Sequence, residues 1–227
     1  MAQKNRYLFR GRISERKFRD LLRLFALDIT ADRAAALTGL SHNTTAALYT
    51  LLRLRIAELA EADCPFHGQV EIDESHFGPS RVRGQPGRGA GKKTPVFGIL
   101  ERGGRVHCQI VKNCSKATLS AIIEGRVHLS AEITTDGFRS YDGLVEAGFK
   151  RHHRILHGKA EFARDGVHIN GIESFWSDAK RRHQKFNGLR KASFSTFLKE
   201  TEFRFDTRDQ DLYKILLRSC RMKPLRR

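Results

Sequence analysis

The chain has 227 residues, 40% of them hydrophobic, which suits one domain of ordinary size with a small accessory domain, or a single larger unit. Lys and Arg number 42 against 25 Asp and Glu, a formal charge of +17. That imbalance points to a phosphate polyanion as partner, although ribosomal and membrane-surface proteins share it. No apolar run reaches the roughly 18 residues a membrane span needs, so no membrane partner is expected.

The basic start is not followed by an apolar stretch and does not read as a signal peptide. Cys64, Cys108, Cys114 and Cys220 are scattered without a CxxC pair. They read as reduced thiols of a cytoplasmic protein, and no zinc is expected.

Residues 1–12 read as a loose basic arm. Residues 14–28 have helical spacing, with Phe18, Leu21, Leu22 and Phe25 on one face and Ser14 as N-cap. A second short helix fits 30–37, capped by Thr30. Thr38-Gly39-Leu40 is a tight turn, and Ser41 caps a third helix to about Ala62. Helix, glycine turn, helix is the outline of a helix-turn-helix unit that binds DNA. The alternative is an ordinary three-helix subdomain. Residues 1–62 are therefore read as a helical, helix-turn-helix-like DNA-binding region, and 62–68 as a junction.

From Gln69 the period changes. Val70 and Ile72 alternate with Glu71 and Asp73, as in a strand. Residues 95–101 and 105–112 read as two further strands joined by a turn at Glu101-Arg102-Gly103-Gly104. The chain between the first strand and these, 78–93 (GPSRVRGQPGRGAGKK), is too rich in Gly, Pro and basic residues to build a core. It reads as a basic loop whose Arg83, Arg88, Lys92 and Lys93 meet a DNA backbone, or else as a solvated surface loop. A helix follows at 116–127, a strand at 131–135, a helix at 138–147 and a short strand at 151–156. Helices at about 168–186, 192–205 and 207–219 finish the chain. This order makes an α/β domain over 66–227, a mixed sheet flanked by helices.

Three acids sit where a metal site could form. Asp73 lies on the first strand, turned away from the face of Val70 and Ile72. Asp136 stands at the carboxyl end of its strand, where open α/β sheets place ligands. Glu173 lies on a helix, with Asn170, Ser177 and Lys180 within about 60° of it and Ile172, Phe175, Trp176 and Ala179 on an adjoining apolar arc. Arg181, Arg182 and Lys185 carry the positive surface towards that helix's end. Carboxylates suit hard Mg2+ ions, and two such ions serve phosphodiester chemistry. By spacing alone, solvated or Arg-paired acids fit equally well.

Other residues have plainer readings. Glu71 shares a strand face with Asp73 and either tunes the site or is solvated; Glu74 points to the other face. Trp176 and Tyr141 read as packing, and Phe203 and Phe205 as helix core. His152, His153 and His157 read as a basic, DNA-facing strand rather than metal ligands.

Three blocks in order, VEIDESHFG, ITTDGFRSYDGL and HINGIESFWSDAKRR, resemble the catalytic blocks of short bacterial insertion-sequence transposases of the DDE type. The likeness is to the branch whose relatives often carry an N-terminal zinc ribbon, and EFRFDTRD at 202–209 resembles its closing block. The resemblance covers about 69–215. It implies a ribonuclease-H-like fold, and Mg2+- or Mn2+-dependent cleavage of element ends followed by strand transfer, with two ions. Asp73, Asp136 and Glu173 match the family's metal-binding, catalytic acids. Lys180 matches its DNA-contacting basic residue, and Asn170 and Arg181 lie in the same block. The resemblance also implies double-stranded DNA as partner, at the terminal inverted repeats and at the target. It implies a homodimer on that DNA and a nucleoid-associated place in a bacterial cytoplasm. Without a zinc ribbon, end recognition would fall to the N-terminal helices. The alternatives are a nuclease or resolvase of the same fold, and a non-catalytic DNA-binding regulator.

Overall fold

The structure is a computed structural model that describes residues 5–60, 65–78, 93–142, 144–145, 147–155, 169–186 and 188–226. It divides into two compact units, Met1–Ala62 with Asp206–Arg227, and Asp63–Phe205.

The first unit is helical. Helix α1 (Glu15–Ala26) starts where Ser14 Oγ accepts from Lys17 N at 3.3 Å, and it buries Phe18, Leu21, Leu22 and Phe25. Helix α2 (Ala31–Thr38) follows Thr30, whose side chain makes no cap bond, and ends at Gly39 with φ 62°. That left-handed angle is the reason for a glycine in the turn. Helix α3 (His42–Ala60) begins after Ser41, whose Oγ accepts from Thr44 N at 3.2 Å. Tyr49 of α3 meets Phe25 of α1 edge-on, with ring centroids 4.9 Å apart.

Two expectations change here. Residues from Asn5 onward do not form a loose arm: Tyr7 stacks on Phe18 at 5.4 Å, and Leu8 is buried and pairs with Leu225. The last helix, α7 (Leu212–Met222), packs on α1 and belongs to this unit, so the α/β domain stops near residue 205 and not at 227. α7 buries Leu216 and Cys220. That apolar face finds its partner in the N-terminal helices, a long-range match that sequence spacing does not reveal.

The second unit carries a five-stranded sheet of order β3-β2-β1-β4-β5. The strands are β1 (Gln69–Phe77), β2 (Thr94–Glu101), β3 (Val106–Ile110), β4 (Glu132–Asp136) and β5 (Arg151–Ile155). β1, β2 and β3 are antiparallel neighbours, while β4 and β5 run parallel to β1. Helix α4 (Lys116–Arg126) crosses from β3 to β4, and Ser115 Oγ caps it by accepting from Thr118 N at 3.4 Å. α5 (Asn170–Gln184) and α6 (Lys191–Asp206) follow β5. This mixed sheet with its helices is the ribonuclease-H-like arrangement.

Period-two alternation splits β1 between two cores. Val70 and Ile72 enter one with Phe97, Ile99, Leu119, Ile123, Ile133 and Tyr141. Phe77 enters the other with Val96, Leu100, Ile172, Phe175, Trp176, Phe194 and Leu198. The helix expected at 138–147 is only a 3₁₀ turn at Arg139–Tyr141 among the described residues. Asp136 Oδ1 accepts from Phe138 N at 2.9 Å, and this aspartate turn, followed within a few residues by glycines, competes with helix.

α6 shields the edge of the sheet. Glu202 Oε2 accepts from the backbone N of Cys108 on β3 at 2.8 Å, and Lys199 Nζ donates to both Glu202 oxygens at 2.9 Å. An edge strand so occupied offers less to a stray partner strand.

Candidate active site

Asp73 faces α5, as the alternation of β1 requires. In the parallel pairing of β1 with β4 the last pair is Ile72 with Thr135, so the next position on each strand is Asp73 and Asp136. Both acids therefore leave adjoining strands on one face. Glu173 stands in the first turn of α5, which packs on β1 and β2.

Position 73 is opposite Gly98 on β2. A Cβ at Gly98 would collide with the six-membered ring of Trp176, so the missing side chain is what lets the indole lie against the sheet beside Asp73. Trp176 is 4% exposed and packs on Phe77 and Phe175, which is the packing role expected of it. Its buried indole N–H has no partner at close hydrogen-bond range, yet it faces Asp73 and offsets part of that group's rise in pKa.

The Asp73 carboxyl is pushed up to about 6, first by burial and then by the negative charges of Asp136 and Glu173. Three acids from three separate elements thus sense one another. Glu74, on the opposite face as expected, is pushed up to about 7 by burial, with a smaller opposing contribution from the Tyr141 hydroxyl. Tyr141 is fully buried. Its hydroxyl is raised in turn by burial and by Glu74.

Among the described residues no group of three His, Cys, Asp or Glu side chains is drawn tightly enough to enclose a metal ion. The donor set still fits a divalent cation: hard oxygen ligands, Asp73 and Asp136 half-buried and Glu173 exposed, whose mutual repulsion a cation would relieve.

The other expected residues are spread more widely. Asn170 and Lys180 are exposed on α5, and Lys180 Nζ stands 5.9 Å from the centre of the Phe77 ring. Arg181 is exposed and paired with Asp178. Lys93 is exposed just before β2, whereas Arg83, Arg88 and Lys92 lie outside the described residues, as does His157. His152 is not a cationic, DNA-facing group. Burial holds it down at about 4, and its Nε2 lies 2.9 Å from Thr135 Oγ1.

Glu71 is 1% exposed and so is not solvated. Its Oε2 accepts from Ile172 N and its Oε1 from Arg102 Nε, both at 2.9 Å. Sequence placed Glu71 on the right face, but neither partner was visible in it. The role of Gly98 was also missed. A glycine inside an otherwise apolar strand was the available signal.

Residues 65–206 match the ISXO2-like transposase domain. The chain belongs to this family of DDE-type insertion-sequence transposases. The matched span covers every strand and helix of the α/β unit and ends where α6 ends.

Two curated relatives carry descriptions that refer to transposition. An uncharacterized transposase-like protein of Haemophilus influenzae is 45% identical over 102 residues, 45% of this chain and 81% of the relative. An uncharacterized protein in transposable element ISH50 of Halobacterium salinarum is 32% identical over 152 residues, 60% of this chain. The chain spans about half of that second relative, 52%. Among solved structures, the Mos1 strand transfer complex is 14% identical with a TM-score of 0.37, covering 93% of this chain and 79% of that one. A pre-cleavage Mos1 transpososome is 13% identical with a TM-score of 0.35, covering 93% and 80%. Likeness this slight carries no weight for the site. No helix among the described residues is long and apolar enough to cross a membrane.

Proposed function

We propose that this ISXO2-like protein is a metal-dependent DNA transposase in which Asp73, Asp136 and Glu173 are the catalytic acids. What supports the reading is the parallel register of β1 with β4, in which Asp73 and Asp136 follow the last pair on adjoining strands, together with Glu173 in the first turn of α5, in a chain of this family. Acids that repel one another are unfavourable unless a cation offsets them. Two Mg2+ or Mn2+ ions held by these acids would activate water and stabilise the leaving oxygen.

Asp73 and Asp136 hold their oxygens on one sheet face, and Glu173 adds a third from α5. Lys180, on the same face of α5 as Glu173, and its neighbours Asn170 and Arg181 take the DNA strand near the scissile phosphate. Lys93 and the basic loop residues Arg83, Arg88 and Lys92 hold the backbone further off. The α2-turn-α3 unit takes the terminal repeat. Two copies pair two element ends, in a bacterial cytoplasm.

The test uses a duplex bearing the inverted repeat that brackets the coding region, with Asp73→Asn, Asp136→Asn and Glu173→Gln compared with wild type in Mg2+. Wild type is expected to cut at the repeat and join the freed 3′ end to target DNA. Each variant is expected to lose cleavage by at least about 100-fold. A variant that cuts like wild type removes that acid from the site. Cutting without joining would make the protein a nuclease. DNA binding with no metal-dependent cut would make it a regulator.

A further inference from the structure

The helix that carries Glu173 has no side-chain cap of its own. Its N-cap is Ile169, which offers no acceptor, so the first backbone N–H groups of α5 need partners from elsewhere. One comes from β1. Glu71 Oε2 accepts from Ile172 N at 2.9 Å, across 101 residues of sequence. The other oxygen of the same carboxylate accepts from Arg102 Nε at 2.9 Å.

Arg102 is itself anchored. Its backbone N donates to Gln69 O at 2.9 Å and its Nη1 to Gln69 Oε1 at 3.1 Å. The Glu71 carboxylate is therefore buried between a guanidinium and a helix N-terminus, with each oxygen accepting one hydrogen bond. The fit is close. A Cβ at Gly171 would stand 2.9 Å from Glu71 Oε2 and 3.2 Å from Leu100 Cδ2, so glycine is what allows the helix start to reach the strand.

The two ends of this link are informative. Glu71 precedes Asp73 by two residues on the same strand face, and Ile172 directly precedes Glu173. We propose that Glu71 is a positioning residue that sets the distance and angle between Asp73 and Glu173, with Arg102 holding its carboxylate and Gly171 admitting it. Glu71 binds neither metal nor DNA. It ties the third acid, borne on α5, to the strand that bears the first. The inference rests on the reading of Asp73, Asp136 and Glu173 as the metal-holding acids.

The test is Mn2+ binding to the full-length protein by titration calorimetry, alongside cleavage of the element-end duplex. In Glu71→Gln the amide keeps the volume but sets an N–H group against a donor. Mn2+ affinity is expected to fall by about 10- to 100-fold, with a matching rise in the Mn2+ concentration needed for half-maximal cleavage. DNA binding in chelator and the circular dichroism spectrum should match wild type. Unchanged Mn2+ affinity overturns the proposal. If Glu71→Gln does not fold, Gly171→Ala is read in its place, since it keeps the carboxylate and pushes the helix away. Wild-type Mn2+ affinity in that variant overturns the proposal equally. Asp73→Asn separates the two levels. If it binds Mn2+ and cuts like wild type, the reading of the acids fails and the tether with it. If it is inactive while Glu71→Gln behaves as wild type, the tether alone fails.

Discussion

The guanidinium of Arg55, in the middle of the helical unit, donates to the carbonyl oxygen of Lys223 at 2.7 Å, 168 residues away in sequence. The same nitrogen reaches Ser219 O at 3.1 Å, and Arg55 Nε pairs with Glu58 at 3.1 Å. A buried cation thus closes the carboxyl end of α7, where the last carbonyls lack helical partners. Arg55→Ala is expected to destabilise the helical unit by about 2–4 kcal/mol, measured by denaturant unfolding. A chain ending at residue 205 should lose the fold of residues 5–60 as well. If residues 5–60 keep native helicity and cooperative unfolding without α7, their fold does not depend on that helix.

A buried ion triad links α5 to α6. Glu200, 1% exposed, pairs with Arg182 at 2.6 Å and with Arg204 at 2.9 Å. Glu200→Ala would leave two guanidinium groups in a poorly solvated place, so a loss of about 3–5 kcal/mol is expected. Replacing Glu200 by Gln should cost less, because the amide oxygen still accepts one bond. Thermal unfolding of both variants tests the order, and equal losses would mean that the lost charge carries the whole effect and the retained hydrogen bond none of it.

The pH dependence of stability follows from Asp73. Its folded value of about 6 lies above the ordinary 3.8. Between those two values the folded chain holds more protons than the unfolded one, so stability falls as pH rises through that window. Glu74, at about 7, acts in the same direction. His107, held down at about 3 chiefly by burial, and His152, at about 4, act in the opposite sense and lose stability in acid. The difference between wild type and Asp73→Asn isolates Asp73. The variant is expected to be more stable at pH 7 by on the order of 1 kcal/mol, and the two should converge below about pH 4. A constant difference across that range would contradict the assignment.

Trp176 is the single tryptophan of the chain and lies beside Asp73. Its emission should therefore change with a midpoint near pH 6, and the step should vanish in Asp73→Asn. Gly98→Ala is expected to shift the emission at every pH and to cost about 1–3 kcal/mol, because its methyl group strikes the indole. An unchanged spectrum in Gly98→Ala would mean that the indole does not lie over position 98.

Much of this architecture was legible in local pattern. Phe18, Leu21, Leu22 and Phe25 recur at helical spacing and are all buried on α1. Val70 and Ile72 alternate with Glu71 and Asp73, and that period alone assigns Asp73 to the face opposite Ile72. The segment 138–147 was misread as helix because its apolar residues fit helical spacing, while the Asp136 turn and the following glycines compete with that spacing. The N-terminal arm was misread because polar composition hides single anchors such as Tyr7 and Leu8.

Sequence by itself determined the type of most elements, the face each acid takes on its element, and the family. These depend on side-chain period and on ordered blocks, which are local properties of the chain. Only the tertiary structure decided that α7 completes the N-terminal unit, that Trp176 lies over Gly98, and that Glu71 caps the helix of Glu173. Each of those is a pairing between segments far apart in sequence. A buried carboxylate, an uncapped helix start and an unfilled apolar face each state a need, and several partners along the chain could meet it. Packing in three dimensions selects which one does.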